Sequence, residues 1–285
     1  MEEFKKQDLY PLVDEWINEQ YYQEYSDNTL KQYKANVLKF VDWMDDDEIL
    51  TKDTTIRFKN YVYNLEPRPK TSTINTWIIE INKFLKYIDR KDLTLKKIKM
   101  QVKTSNNEVL TIADYKRLLR FAKRKNNMQL YYIIKVLAMT GIRISELKYF
   151  TVENIKENYI DGFNKGKERK IILRQDLARE LRKYARDNNI KTGYIFRGAK
   201  KGCMPNKATI WKQLKKTAGA ARVNKKKVHA HSFRHLFAQI FLESYPGAIT
   251  ELADILGHNS LETTRLYTRT SNKQKKSKME QMSFK

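Results

Sequence analysis

The sequence predicts a mainly α-helical protein of two domains, an N-terminal four-helix bundle followed by an α-rich domain that carries a small antiparallel β-sheet. Three observations predict it. Apolar residues recur at helical spacing through most of the chain. Nine Gly and five Pro in 285 residues are too few for a turn-rich β fold. Between Asp92 and Asn107 the periodicity fades while Lys96, Lys97, Lys99, Lys103, Ser105, Asn106 and Asn107 accumulate, which reads as a linker. The expected division is therefore 1–91 for the bundle, 92–107 for the linker and 108–285 for the second domain, with a tail from about residue 270.

The elements follow in order. Asp8–Tyr25 reads as one helix with Leu9, Leu12, Val13, Trp16 and Ile17 on one face. Asp27 or Asn28 is placed to cap a second, whose apolar positions are Leu30, Tyr33, Val37, Phe40, Val41 and Met44. Thr54–Leu65 reads as a third, ended by Pro67 and Pro69, and Thr73–Ile88 as a fourth with Ile74, Trp77, Ile78, Ile81, Phe84 and Leu85. Four helices on short connections make a bundle. Beyond the linker, Thr111 with Asp114 forms a capping arrangement for a helix to Lys125. Leu130–Thr140 is apolar enough to be buried. Tyr159-Ile160 and Ile171-Ile172-Leu173, with Asp161-Gly162 and Lys165-Gly166 between them, read as short strands around a turn. Helical patterns return at 176–187, 206–221, 231–244, 248–256 and 260–269.

Charge narrows the function. Lys and Arg number 57 against 33 Asp and Glu, a formal charge of +24. Residues 1–100 hold 17 basic and 18 acidic side chains, and residues 101–285 the other 40 and 15. Self-repulsion of that size disfavours compaction, so the excess points to a polyanionic partner. Cys203 stands alone, which excludes a disulfide framework and a cysteine zinc site. No apolar run approaches the roughly 20 residues of a membrane span, and Met-Glu-Glu does not open a signal peptide. The expectation is a soluble, cytoplasmic, nucleic-acid-binding protein with no membrane partner. Residues 52–100 hold twelve basic and five acidic side chains, so Lys70, Lys83, Lys86 and Arg90 are candidate phosphate contacts, as is the run Lys225-Lys226-Lys227.

Three clusters have chemical potential. Thr140-Gly141-Ile142-Arg143-Ile144-Ser145-Glu146-Leu147 places an Arg directly after a buried helix that ends at Gly. Arg in apolar surroundings needs an anionic partner, which Glu146 or a ligand would supply. In His231-Ser232-Phe233-Arg234-His235, positions 231 and 234 share a helix face and can address one phosphate. His231 and His235 have zinc-like spacing, but Ser232 stands where a metalloprotease motif has Glu, so no metal is expected. The third cluster is Leu256-Gly257-His258-Asn259-Ser260-Leu261-Glu262-Thr263-Thr264-Arg265-Leu266-Tyr267-Thr268. Three of the four His of the chain fall in the second and third clusters, and the fourth, His229, stands two residues before the second.

In this order and over nearly the whole chain, the three clusters resemble the tyrosine recombinase (phage integrase) family. The resemblance implies a helical, SAM-like core-binding domain that clamps DNA, followed by the family's catalytic domain. Carried over residue by residue, Arg143 and Arg234 match the two family arginines, His231 and His258 the two histidine positions, and Tyr267 the nucleophile, with Glu146 in support. The family also places a Lys in a β-hairpin turn. Asn164-Lys165-Gly166-Lys167-Glu168-Arg169 resembles the usual GKG-x-KER form at Lys165, but has Asn for Gly and one residue fewer, which leaves Lys167 as the alternative.

The chemistry agrees with that assignment. A phosphodiester in transfer gains charge, so fixed cationic donors around it lower the barrier. Free tyrosine, with a pKa of about 10, is about 0.1% phenolate at neutral pH, so a base must take its proton as it attacks. The resemblance implies His231 as that base, Lys165 as the acid for the departing 5′-oxygen, and no cofactor, metal or ATP. It also implies a double-stranded recombination site as partner, a homotetramer on synapsed DNA, a monomer in solution, and a C-terminal tail (Met279, Met282, Phe284) that docks in a neighbouring protomer. With the clamp beginning near Met1, a compact Xer-like member without an arm-binding domain is expected. The alternatives are a type IB topoisomerase or telomere-resolvase-like enzyme, and a DNA-binding protein without catalysis.

Overall fold

Local signals decide where the helices begin. In the computed structural model, which describes residues 3–100, 109–164, 167–200, 202–257, 264 and 280, the chain forms two compact units, Met1–Val102 and Lys103–Lys285. The first unit has α1 (Lys6–Tyr22), α2 (Asp27–Trp43), α3 (Lys52–Tyr63) and α4 (Thr71–Tyr87). Ser26, one residue before the expected caps, accepts from the Thr29 N–H and starts α2. The serine hydroxyl sits on extended backbone, the usual geometry of a cap, while Asp27 is already in the first turn. Thr51 does the same for α3, two residues earlier than its apolar pattern indicates. Leu9, Val13, Trp16, Val37, Phe40, Phe58, Ile74, Ile81 and Phe84 make the core of this unit, with the Trp16 and Tyr33 rings stacked at 5.6 Å.

The expected linker is shorter than its composition suggests. A single 3-10 turn spans Lys91–Leu93, and the extended stretch after it lies on α3 and α4 with Leu93 and Leu95 buried. Asn82 clamps Leu95 from both sides: its amide nitrogen donates to Leu95 O and its oxygen accepts from Leu95 N–H, both at 2.8 Å. Asn75 does likewise for Ile98. Lys59 donates to Lys96 O, and Thr55 to Leu93 O. Residues 92–98 are therefore a strap of the first unit. Residues 101–108 lie outside the described residues.

The second unit contains α5 (Ile112–Arg124), α6 (Met128–Thr140), β1 (Tyr159–Asn164), β2 (Lys167–Ile172), α7 (Gln175–Asp187), α8 (Lys207–Ala220), α9 (Ala230–Ser244) and α10 (Ile249–Leu256). The capping box expected at Thr111 and Asp114 forms. α6 is apolar at most positions other than Gln129 and Lys135 and supplies the centre of the core, with Leu130, Ile133, Ile134, Val136 and Leu137 fully buried. The strands pair antiparallel from Tyr159 with Ile172 to Asn164 with Lys167. The small sheet and the predominance of helix are as the pattern indicates. The helix expected at 260–269 falls outside the described residues except for Thr264, which is helical and buried.

Candidate active site

The carboxyl ends of two helices organise the site. α6 stops at Gly141 and α10 at Gly257, both left-handed at φ +63°. A Cβ on Gly141 would lie 2.6 Å from Phe237 on α9 and 2.8 Å from Leu256 on α10, so glycine permits both the turn and the close approach. Helix C-termini present carbonyl oxygens without intrahelical partners and attract cations. Arg234, on α9 and only 1% exposed, spans the two ends: Nη1 donates to Gly141 O at 2.9 Å and Nη2 to Leu256 O at 2.7 Å.

Arg143 follows Gly141 by two residues on extended backbone. Its N–H donates to Glu146 Oε2 at 2.6 Å, Nη1 stands 3.8 Å from Glu146 Oε1, and Nη2 reaches Gly257 O at 3.4 Å. The side chain stays one-third exposed, so it is anchored on one side and open to a ligand on the other. Glu146 is buried. Its nearer guanidinium is that of Arg169 on β2, with Nε at 3.2 Å. Arg169 Nη1 donates to the carbonyls of Ile255 and Leu256 at the end of α10. Burial pushes its pKa down to about 10, opposed by Glu146 and reinforced by Arg234 and Arg143.

His231 lies in the first turn of α9 with its ring edge to ring against His235, centroids 4.7 Å apart. Desolvation, then Arg234, His229 and Arg143, hold the His231 pKa below the ordinary histidine value. For His235, burial and the neighbouring His231, His229 and Arg234 bring it to about 4. Both imidazoles are neutral at neutral pH.

Arg143 and Glu146, from the stretch after α6, and His231 and Arg234, from α9, are thus brought together from two segments far apart in sequence. Lys165, His258 and Tyr267 lie outside the described residues, as does the tail beyond Thr264 apart from Glu280; for Lys167 the backbone pairing with Asn164 is described. Arg169 is the residue whose position sequence reasoning missed. The signal was present: alternation along β2 puts it on the same face as buried Ile171 and opposite Gly162, where a charge needs a reason.

The candidate phosphate contacts divide. Lys70, at the start of α4, and Lys86, in its last turn, are exposed, as are Lys225 and Lys226 in the 3-10 turn Lys225–Lys227, where Lys227 is half-buried. Lys83 instead folds over the rings of Tyr25 and Tyr33 and donates to the Tyr33 hydroxyl at 2.5 Å. Arg90 forms an ion pair with Asp92 at 3.1 Å. Both are engaged inside the first unit, because a partner lies within reach of their long side chains.

A sequence profile of the phage integrase family matches residues 108–274, more than half of the chain. The chain belongs to the phage integrase family. It is a tyrosine recombinase, an enzyme of site-specific DNA recombination. This recombinase is 29% identical over 264 residues to tyrosine recombinase XerD of Oceanobacillus iheyensis, covering 85% of this chain and 88% of that protein. It is 33% identical over 181 residues to tyrosine recombinase XerA of Pyrococcus furiosus, 60% of each chain. Among solved structures, the XerA recombinase superposes with a TM-score of 0.54 at 23% identity, covering 96% of this chain and 99% of that one. A lambda integrase dimer bound to a COC′ core site gives 0.73 at 16% identity, covering 91% and 76%. At those identities the structural likeness establishes the fold.

Proposed function

We propose that this recombinase cleaves and rejoins duplex DNA with Tyr267 as nucleophile and Arg143, Arg234, His231, His258 and Lys165 around the scissile phosphate. The observation that carries the reading is the convergence of Arg143, His231 and Arg234 at the ends of α6 and α10, three groups suited to an anionic ligand. In the forward step the Tyr267 oxygen attacks phosphorus and loses its proton to His231, whose lowered pKa leaves it neutral and able to accept. The P–O5′ bond breaks, Lys165 protonates the leaving oxygen, and a 3′-phosphotyrosyl ester remains. Reversal with a new 5′-hydroxyl restores the backbone without ATP. The arginines hold non-bridging oxygens throughout, with His258 beside them.

The crystal structures of related folds include lambda integrase as a tetramer on a Holliday junction and XerH bound to its difH substrate. By analogy this chain acts as a homotetramer on two synapsed sites and is a cytoplasmic monomer before it meets DNA, with Lys70, Lys86 and Lys225–Lys227 contacting backbone phosphates. Sedimentation of the pure protein at micromolar concentration, without and with site DNA, checks the assembly. The decisive experiment for the chemistry uses a nicked suicide duplex carrying the genomic sequence beside this gene. Wild type traps a covalent adduct, and Tyr267→Phe binds the duplex without forming one. An adduct on Tyr267→Phe would overturn the assignment. A circle with two sites gives deletion or inversion; relaxation alone would favour a topoisomerase.

A further inference from the structure

Arg169 is a buried cation that this chemistry leaves unused. Its side chain is 9% exposed, and burying a guanidinium is costly unless its donors are met. They are met only in part: Nη1 reaches two carbonyls, Nε lies beside Glu146 out of line for a hydrogen bond, and Nη2 has no hydrogen-bond partner among the described residues. The surroundings are shaped to admit it. At Gly257 a Cβ would stand 2.8 Å from its Cδ.

What it joins is more informative than what it costs. β2 belongs to the hairpin whose strands are connected through Lys165 and Gly166. The end of α10 runs directly into His258. Glu146 receives the N–H of Arg143. We infer that Arg169 is a positioning residue for DNA cleavage: it locks the β-hairpin to the end of α10 and to Glu146, so that the three elements bearing the reacting groups keep one register. The inference rests on the reading of Lys165 as the general acid. Displacement of a reacting group by about 1 Å can cost about 10²-fold in rate, which is the scale of effect expected.

The test uses the full chain with Arg169→Lys, which keeps a single charge but loses the planar guanidinium that places Nη1 on two carbonyls and Nε beside Glu146 at once. Cleavage is timed on the nicked duplex with an ordinary bridging 5′-oxygen and with a bridging 5′-sulfur, alongside DNA binding and thermal melting. Sulfur departs as thiolate and needs no proton, so an acid out of register no longer limits the rate. Arg169→Lys is expected to fold, to bind DNA as wild type does, to cleave the oxygen substrate about 10²-fold more slowly, and to recover most of the loss on sulfur. Wild-type cleavage, a lowered melting temperature with normal cleavage, or equal slowing on both substrates would overturn the inference. Lys165→Ala separates the two readings. If sulfur fails to rescue Lys165→Ala, the acid assignment falls; if it rescues Lys165→Ala but not Arg169→Lys, the positioning role alone falls.

Discussion

At the scale of single residues, the two proposed phosphate-binding arginines differ in what else they do. Arg143 is partly open and makes one long bond to Gly257 O, whereas Arg234 closes two helix ends from the interior. Arg143→Ala should slow cleavage by about 10²–10³, or about 2.7–4 kcal/mol, with little change in melting temperature. Arg234→Ala should cut cleavage as much and also destabilise the fold by about 3 kcal/mol, since charge-assisted bonds to buried carbonyls are lost. Paired melting and single-turnover assays check the contrast. pH offers another handle. The fold depresses the pKa of His235 from 6.5 to about 4, so it prefers the neutral ring. That contribution to stability is complete above pH 6.5 and is lost as pH falls from about 6.5 towards 4. His235→Gln should flatten this acid limb in denaturation curves collected across that range. Much of this constellation was legible: Arg143, Glu146, His231 and Arg234 sit in compact motifs whose spacing survives folding. Arg169 was not, because its partners Glu146, Ile255 and Leu256 are distant in sequence.

Among the elements, helices were legible wherever an apolar stripe met a buried face, as in α2 and α4. Their starts were less so, since Ser26 and Thr51 act through one hydroxyl each and leave no periodic trace. The strap at 92–98 has the sequence character of a linker for a physical reason. Its backbone is satisfied by side chains of α3 and α4, a pairing that produces neither helical nor strand periodicity in the strap itself. Asn82→Ala should therefore leave the Leu95 amide and carbonyl unpaired, costing about 1–3 kcal/mol. Hydrogen exchange at Leu95 should quicken well before that at the α4 core. At the other unit's helix junction, Gly141→Ala must adopt φ +63° and push against Phe237 and Leu256. The left-handed backbone alone costs about 1–2 kcal/mol, so a larger loss in denaturant titration is the expected result.

For the molecule as a whole, the charge excess of residues 101–285 is the property a duplex would sense first. Each phosphate neutralised adds about −0.9 to the slope of log K against log salt. Replacing Lys225, Lys226 and Lys227 together by Ala should make that slope shallower by up to about 3 while leaving base preference unaltered; binding isotherms at several salt concentrations measure it. Truncation after Thr270 should preserve binding and weaken synapsis, as read from the yield of paired-site complexes. The double duty of Arg234 reaches further still. In a library of random variants sorted first for soluble, abundant protein and only then for failure to recombine, lesions should pile up at Arg143 and be scarce at Arg234. A chain that loses the guanidinium spanning Gly141 and Leu256 would already have been discarded by the cell's proteases. An inactive relative with an intact body would then betray its ancestry by keeping the second arginine after the first had gone.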